Sequence, residues 1–380
     1  CRGCDLHGAN FKKADLSGVD LTGANLSDAT FHRAILRGAK ETGIAPCAVQ
    51  GFEAGEKQGF GPFMTRARLN YTLHRLDRVD EDFEHETRLP TEDRKEVAAR
   101  DLFAANLAFQ RGQYAKAEEL FVSLVDRMPA MSALSGLALY RWKAGQFDEA
   151  EALYRRALEV YDGEETEPAA WVHLQLGLMD LDRGRYDEAL AHYREGEALI
   201  KGYWLLEEHI AEILTLQGKT EEAKALYLGI VERTGNPEFM DALAEIHLAA
   251  GEQAKADEWL TKANAAFEAQ LRRFPEAAYG HALEHFLAHG KDPAKALDMA
   301  RKNHALRPNA DAKRFLAEAL LAAGEKDEAK TIIEQALATP MRSADLHATA
   351  AAVFAATGDA PKAEEQRKAA LAINPKIELP

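Results

Sequence analysis

Three histidines have a spacing that could serve metal chemistry. His281, His285 and His289 recur at every fourth residue within the segment HALEHFLAH. On a helix, two imidazoles four residues apart can chelate a transition metal ion. Successive members of such a series drift around the helix axis, so three of them rarely meet at one ion. The stripe therefore has two interpretations, a metal site or an ordinary exposed row of imidazoles.

The cysteines offer no second metal or redox site. Cys1 and Cys4 form a C-x-x-C, and Cys47 is the third thiol. A redox motif would need a strand-to-helix context, and a four-ligand zinc site would need a second pair of ligands; the sequence has neither. Three thiols are also too few to staple a chain of 380 residues. We therefore expect no cofactor.

Sequence signatures of catalysis are missing as well. The chain contains no G-x-x-x-x-G-K-[ST], no strand-anchored G-x-G-x-x-G and no G-x-S-x-G. Its 47 basic and 62 acidic residues give a formal net charge of −15, which disfavours non-specific binding to nucleic acid or anionic membranes. No apolar run approaches the roughly 18 residues of a membrane span. We expect no catalytic residues, no nucleic-acid partner and no transmembrane segment.

The first forty residues repeat with a period of five. A large apolar residue occupies the centre of each unit, and a small residue precedes it by two positions. The seven centres are Leu6, Phe11, Leu16, Leu21, Leu26, Phe31 and Leu36. Neither the helical period of 3.6 nor the strand period of 2 fits this series, whereas a chain that turns a corner every five residues keeps both positions inside.

These units resemble the pentapeptide-repeat family, whose consensus is A-[DN]-L-x-x. The resemblance implies a short right-handed quadrilateral β-helix over residues 1–40. Long members of that family mimic DNA through shape and negative charge, but six basic and four acidic residues give this segment a charge of +2. We therefore expect a capping or docking stub instead of a DNA mimic.

Residues 41–96 show neither the five-residue period of the first forty residues nor the longer period of the remainder of the chain. The stretch from Gly43 to Pro62 is rich in glycine and contains two prolines, as is typical of a linker. Apolar residues then recur at helical spacing, which predicts one amphipathic helix at about 64–86. They are Leu69, Leu73, Leu76, Val79 and Phe83. Such a helix would cover the first repeat that follows or serve as a partner site.

Glycines recur through the remainder at spacings of 33 to 39 residues. They are Gly112, Gly145, Gly184, Gly218, Gly251, Gly290, Gly324 and Gly358. In seven of the eight cases a small residue lies seven positions earlier and an alanine lies five positions later. Small residues let two helices approach closely, and glycine ends the first helix. The pattern predicts eight helix–turn–helix hairpins.

Segments such as AGQFDEAEALYRRALEV and RGRYDEALAHYREGEAL resemble the tetratricopeptide-repeat (TPR) family. The resemblance implies a mainly α protein, in which eight repeats over residues 97–376 form an α-solenoid, a right-handed superhelix of helical hairpins. It also implies a non-catalytic scaffold that binds another protein or peptide in its concave groove. A metal-binding accessory protein that uses the histidine stripe and a structural spacer without a groove ligand are the alternatives.

Groove-facing positions lie three, six and ten residues before each turn glycine. Candidate groove residues are Asn106, Leu178, Glu208, Glu212, Asp241, Glu245, Glu284 and Glu318. Four consecutive hairpins thus place a glutamate six residues before the turn, and stacking would align these glutamates in a row. The chaperone-tail clamp of some family members needs Lys and Asn here, and only Asn106 fits. An acidic row favours a basic partner segment, and a solvated acidic surface is the alternative.

The start of the chain bears on its source and compartment. The sequence opens at Cys1 instead of Met, as a fragment or a processed chain would, and the TPR-like repeats carry no thiols. We expect a bacterial protein of the periplasm or cell envelope, with the cytoplasm as the alternative.

Overall fold

The computed structural model describes residues 61–163, 166–290 and 292–379. This part of the chain contains eighteen helices and no strand. It divides into two compact units, one with residues 61–71 and 77–92 and the other with residues 72–76 and 93–379. The β-helix predicted for residues 1–40 lies outside the described residues, as does most of the predicted linker. The three-part division of the chain stays a prediction.

The segment before the repeats forms two helices, α1 (Gly61–Thr72) and α2 (Leu76–Arg88). The expectation of one helix at about 64–86 is therefore wrong. His74, between the two helices, has a φ of +57°, a left-handed conformation that an α-helix cannot continue through. The Arg307 guanidinium binds His74 Nε2 at 3.1 Å, and Arg75 Nε lies 3.3 Å from Glu276 Oε2. These contacts stabilise the break between α1 and α2. The spacing of apolar residues, which predicts one helix, contains no information about them.

Helix α1 pairs with α2 through polar contacts. Arg66 Nε donates to Asp82 Oδ1 at 2.7 Å, and the Met64 N–H donates to Glu86 Oε2 at 3.1 Å. Leu69 is exposed, so it does not belong to the buried stripe that the sequence predicts. Leu76 and Val79 do lie buried.

The repeats form eight helical hairpins, which confirms the α-solenoid. In chain order, their helices are α3 (Arg94–Gln110), α4 (Tyr114–Arg127), α5 (Met131–Lys143), α6 (Phe147–Glu159), α7 (Thr166–Leu181), α8 (Tyr186–Leu199), α9 (Trp204–Leu216), α10 (Thr220–Thr234), α11 (Pro237–Ala249), α12 (Gln253–Arg273), α13 (Pro275–Ala288), α14 (Pro293–Leu306), α15 (Ala310–Ala322), α16 (Lys326–Leu337), α17 (Ala344–Ala356) and α18 (Ala360–Ile373). Odd-numbered helices from α3 to α17 are the first helices of hairpins 1 to 8.

Glycine and small residues set the geometry of each hairpin. Seven of the eight turn glycines have φ between +68° and +83°, the left-handed region in which a side chain would be strained. Gly290 of hairpin 6 is the exception, and there the turn lacks this conformation. In hairpin 3, a Cβ on Gly177 would overlap the buried ring of Tyr193. The small residue therefore allows α7 and α8 to pack closely enough for that ring to fill the space.

The first helices line the inner side of the solenoid. Successive first helices contact each other directly, as α11 does α13 and α13 does α15, in addition to the contacts between each second helix and the next first helix. Elements on the inner side of a curve lie closer together than those on the outer side. The first helices therefore form the concave face, as in other helical solenoids.

Successive turns of the solenoid touch along a line of contacts that we call the seam. The Ala310 N–H donates to the Tyr114 hydroxyl at 2.6 Å, which joins hairpin 1 to hairpin 7. The Arg342 N–H donates to the Lys143 carbonyl at 2.8 Å, which joins hairpin 2 to the loop before hairpin 8. Contacts between hairpins this far apart mean that one turn of the solenoid takes between five and six hairpins.

A third contact of the seam involves the segment after α18. Lys376 Nζ lies 3.9 Å above the ring of Tyr186, at the start of α8. Gly112, between the two helices of hairpin 1, shows how closely successive turns of the solenoid pack at the seam. A Cβ on Gly112 would lie 2.7 Å from the Pro308 carbonyl oxygen. The turn glycine of hairpin 1 thus serves both the turn between its two helices and the contact between successive turns of the solenoid.

Candidate binding groove

Helices α9, α11, α13 and α15 carry a set of carboxylates that we call the inner wall. Its members are Glu208, Glu212, Glu238, Asp241, Glu245, Glu284 and Glu318. Six of these residues follow from the sequence, and Glu238 is added because its charge acts on Glu208 and Glu284. Four histidines and one arginine lie among them, so the wall is acidic but partly compensated.

The histidine stripe of α13 lies against the acidic residues of α11. Each imidazole contacts a different carboxylate, and the three pairs repeat along the two helices. The nitrogen-to-oxygen distances are 3.2 Å for His281–Glu238, 2.9 Å for His285–Asp241 and 3.3 Å for His289–Glu245. The stripe therefore joins two neighbouring first helices, and its imidazoles divide among three partners.

His285 is the buried member of this stripe. Its side chain is 2% exposed, and its ring packs against Phe267 at 4.8 Å and Phe286 at 5.1 Å between centroids. Nδ1 lies 2.9 Å from both carboxylate oxygens of Asp241. A buried imidazole with a hydrogen-bonded carboxylate is a satisfied core residue.

The two outer histidines of the stripe are more basic than usual. The hydrogen bond to Glu238 raises the pKa of His281, although desolvation by the surrounding helices opposes it. The hydrogen bond to Glu245 raises the pKa of His289 in the same way. A larger fraction of both imidazoles is therefore protonated at a given pH, and their positive charge compensates part of the wall's negative charge.

On α9, His209 lies between two glutamates. Its Nδ1 is 3.0 Å from Glu212 Oε2, and its Nε2 is 3.1 Å from Glu208 Oε1. Burial acts to lower the pKa of His209, but the hydrogen bond to Glu212 and the charge of Glu208 raise it overall. Burial raises the pKa of Glu208 to about 7, and the charges of Glu238 and Glu212 add to this effect, while His209 opposes it. One carboxylate of the wall is therefore poised between its charged and neutral forms near neutral pH.

Glu284 and Glu318 continue the wall on α13 and α15. Glu284 is exposed at the surface, yet desolvation by the surrounding helices raises its pKa, with Glu238 and Glu318 adding to the shift. Arg314 opposes that shift, and its Nη1 lies 3.3 Å from Glu318 Oε2. An exposed carboxylate that is nevertheless desolvated lies on a concave surface.

The two remaining candidates lie apart from these carboxylates. Asn106 is half-buried on α3. Leu178 is half-buried on α7 and packs against two of the hydrophobic clusters of the core. Hairpins 1 and 3 thus contribute no charge at this position.

Sequence reasoning missed His209, Glu238 and Arg314. Arg314 lies ten residues before its turn glycine, a position that the sequence marks as groove-facing, so a search for cations there would have found it. Glu238 lies three residues before Asp241 on the same helical face. The pairing of the α13 histidines with α11 carries no local sequence signal, because it depends on how two helices about 40 residues apart align.

Groups of potential metal ligands are sparse in the described residues. One group of three or more has all its ligand atoms within 4.8 Å of one another, and it consists of His173, His192 and Glu195 in hairpin 3. The stripe of α13 does not form such a group in this part of the chain. Among the same residues, no helix combines the length and apolarity that crossing a membrane requires.

Comparison with protein families identifies both repeat types. Residues 129–201 and residues 310–335 match models described as tetratricopeptide repeat, and residues 1–40 match one described as pentapeptide repeats. The chain therefore carries tetratricopeptide repeats and pentapeptide repeats, and both resemblances are confirmed. A solenoid of this type suggests a protein-interaction scaffold.

Individual relatives match more distantly. The human protein O-mannosyl-transferase TMTC1 is 35% identical over 126 residues, which are 33% of this chain and 14% of that protein. Among solved structures, the APC/C hetero-tetramer Cut9–Hcn1 matches with a TM-score of 0.44 and 15% identity over 88% of this chain and 64% of that chain. Pseudomonas aeruginosa pilF matches with a TM-score of 0.40 and 18% identity over 59% of this chain and 99% of that chain.

Proposed function

We propose that this chain is a non-catalytic scaffold that binds an extended, basic segment of another protein along the inner wall of hairpins 4 to 7. The observation that carries the proposal is the crowding of carboxylates on one concave face. Seven carboxylates face four histidines and one arginine, and two of the carboxylates have raised pKa values. A cationic ligand would favour the ionised form of these groups and so would gain binding free energy from them.

The seam supports an extended ligand over a folded one. Because successive turns touch at Tyr114–Ala310 and at Lys143–Arg342, the gap between turns is closed there. A folded domain would have to enter between turns to reach the wall from the side. An extended segment can instead follow the concave face and present a basic side chain to each first helix in turn.

Two alternatives make different predictions. A structural spacer would bind no peptide at the inner wall. A metal-binding accessory protein would use the stripe of α13, but each imidazole there already has a carboxylate partner, and the buried pair of His285 with Asp241 serves packing. Of the three hypotheses, the scaffold alone uses the wall's excess of negative charge.

A peptide-binding experiment with two charge-matched variants tests the proposal. The probes are fluorescein-labelled twelve-residue peptides in basic, neutral and acidic versions, and the readout is fluorescence anisotropy. The wall variant replaces four glutamates with glutamine: Glu212, Glu245, Glu284 and Glu318. The control replaces four exposed glutamates of second helices with glutamine: Glu188, Glu222, Glu258 and Glu364. Both variants change the net charge by the same amount.

We expect the wild type and the control to bind the basic peptides, and the wall variant to bind them at least about tenfold more weakly. Higher salt should weaken this binding, since the interaction is electrostatic. Equal losses in both variants would mean that the peptides bind the acidic surface at large. An absence of binding in the wild type would favour the structural spacer.

A further inference from the structure

We propose that His173, His192 and Glu195 form a binding site for a divalent transition metal ion in hairpin 3. His173 Nδ1 lies 3.0 Å from Glu195 Oε2, and His192 Nδ1 lies 3.1 Å from the same oxygen. Three ligand atoms from two helices thus converge on one point. This site is distinct from the inner wall of hairpins 4 to 7 and does not depend on the function proposed for it.

Two of the three ligand separations suit an ion with little rearrangement, and all three ligand atoms lie within 4.8 Å of one another. Atoms that bind a tetrahedral zinc ion at about 2.1 Å lie roughly 3.4 Å apart. The two observed separations are a few tenths of an ångström shorter than that, so an ion needs only a small outward movement. Glu195 can supply it, because its side chain is 57% exposed, whereas those of His173 and His192 are 16% and 19% exposed.

The hairpin fixes the two histidines in place. His173 lies one helical turn before Gly177 on α7, and His192 directly precedes Tyr193 on α8. Gly177 and the Tyr193 ring pack in direct contact, which brings the two helices together at this level. The imidazole centroids are consequently 6.2 Å apart. The small residue that defines the hairpin therefore also sets the spacing of the two nitrogen ligands.

One ligand nitrogen is buried and has a poorly aligned partner. His173 Nδ1 lies 3.0 Å from Glu195 Oε2, but the pair does not have the geometry of a good hydrogen bond. A buried polar atom of this kind calls for a further partner. A metal ion bonded to Nδ1 would be that partner. His173 and Glu195 would then both bind the ion instead of contacting each other directly.

A second carboxylate, that of Asp180, lies near the other ring nitrogen of His192. Asp180 is buried on α7, and its Oδ2 lies 3.7 Å from His192 Nε2, the ring nitrogen that faces away from Glu195. Histidines that bind metals commonly donate their other N–H to a carboxylate, which fixes the tautomer and orientation of the ring. At 3.7 Å the two atoms are too far apart for a direct hydrogen bond, so Asp180 acts on the orientation of His192 through its charge.

The donor set selects the class of ion. Two imidazoles and one carboxylate suit zinc, cobalt, nickel or copper, whereas calcium and magnesium prefer sets made up of oxygen atoms. Three protein ligands leave a fourth tetrahedral position for water. We therefore expect Zn²⁺ and Co²⁺ to bind and Mg²⁺ not to bind.

Isothermal titration of the full chain with zinc chloride tests this site. The protein should carry no affinity tag, and Cys1, Cys4 and Cys47 should be replaced by serine so that thiols do not contribute. The site variants are His192→Gln and Glu195→Gln; the second changes an exposed side chain and should leave the fold intact. The control is the double variant His281→Gln, His289→Gln, which removes two imidazoles from the other histidine group. Circular dichroism checks that each variant is folded.

We expect one zinc ion per chain and at least tenfold weaker binding in each site variant, with the control unchanged. Bound Co²⁺ should show the intense visible absorption of tetrahedral coordination in the control and lose it in Glu195→Gln. The proposal is overturned if folded full-length chain binds no zinc, or if the site variants bind it as tightly as the control. It is also overturned if only the control loses binding, since the ion would then sit at the stripe of α13.

Discussion

Replacing Glu208 with glutamine should stabilise the repeats above neutral pH. Burial raises the pKa of this carboxyl to about 7, and its ordinary value is 4.5. Its side chain is 19% exposed, so solvent screens the effect only in part. Each pKa unit corresponds to about 1.4 kcal/mol, so the ionised form costs the folded state up to about 3 kcal/mol. Glutamine keeps the shape and removes the charge.

The sign of the effect follows from proton binding. Between pH 4.5 and about 7 the folded state holds a proton on Glu208 that the unfolded chain has released. The stability of the wild type therefore falls as pH rises through this window, and the loss is complete above it. Glu208→Gln has no such proton, so its advantage over the wild type should grow from near zero at about pH 4.5 to as much as about 3 kcal/mol at about pH 8. Loss of the contact with His209 reduces this gain.

The assay is denaturant unfolding of both proteins, followed by circular dichroism, at several pH values across the window. Hydrogen exchange of the α9 and α11 amides adds a local measurement, since repeat arrays can unfold in parts. Glu222→Gln on α10 serves as the control, because it removes one exposed carboxylate from a second helix, away from the inner wall. A difference between Glu208→Gln and the wild type that is constant with pH would refute the reasoning.

Two further predictions test the seam and the hairpin packing. Tyr114→Phe should lower the free energy of unfolding by about 1–2 kcal/mol, since it leaves the buried Ala310 N–H without its acceptor, whereas Tyr154→Phe should cost nothing, since its buried hydroxyl meets no partner in the described residues. Equal losses in the two variants would contradict the seam hydrogen bond. Gly177→Ala should lower stability by about 1–3 kcal/mol through overlap with Tyr193, despite the higher helix propensity of alanine. A more stable Gly177→Ala protein in the same unfolding assay would show that α7 and α8 are not in close contact.

Local signals in the sequence predict the hairpins well. The period of the turn glycines and the small residues before them report on contacts within one hairpin, such as that of Gly177 with Tyr193. The positions of Glu212 and Glu245 on first helices follow from the same period. The pentapeptide period is equally local, and it is recognised over residues 1–40.

Contacts between distant residues escape such reasoning. The break at His74 depends on Arg307, which is 233 residues away, and helical spacing of apolar residues continues across the break. The four-residue spacing of His285 with His281 and His289 is that of an exposed row on a helix. His285 is nevertheless buried, because Phe267 and Asp241 of hairpin 5 cover it. Both outcomes are set by how neighbouring or distant hairpins align, which the period alone does not specify.

The seam gives the inner wall a fixed geometry. In an open array each hairpin contacts only its neighbours, so the curvature depends on soft interfaces in series. Here the contact between Tyr114 and Ala310 spans 196 residues and closes a ring of interfaces that includes hairpins 4 to 6, which restrains the flexing of each interface. The carboxylates of these hairpins are therefore held in place before a ligand arrives. Desolvation raises the pKa of Glu208 and of Glu284 in the free protein, and neighbouring carboxylates add to this effect. A cationic ligand would offset the cost of ionising these groups without first having to order the wall.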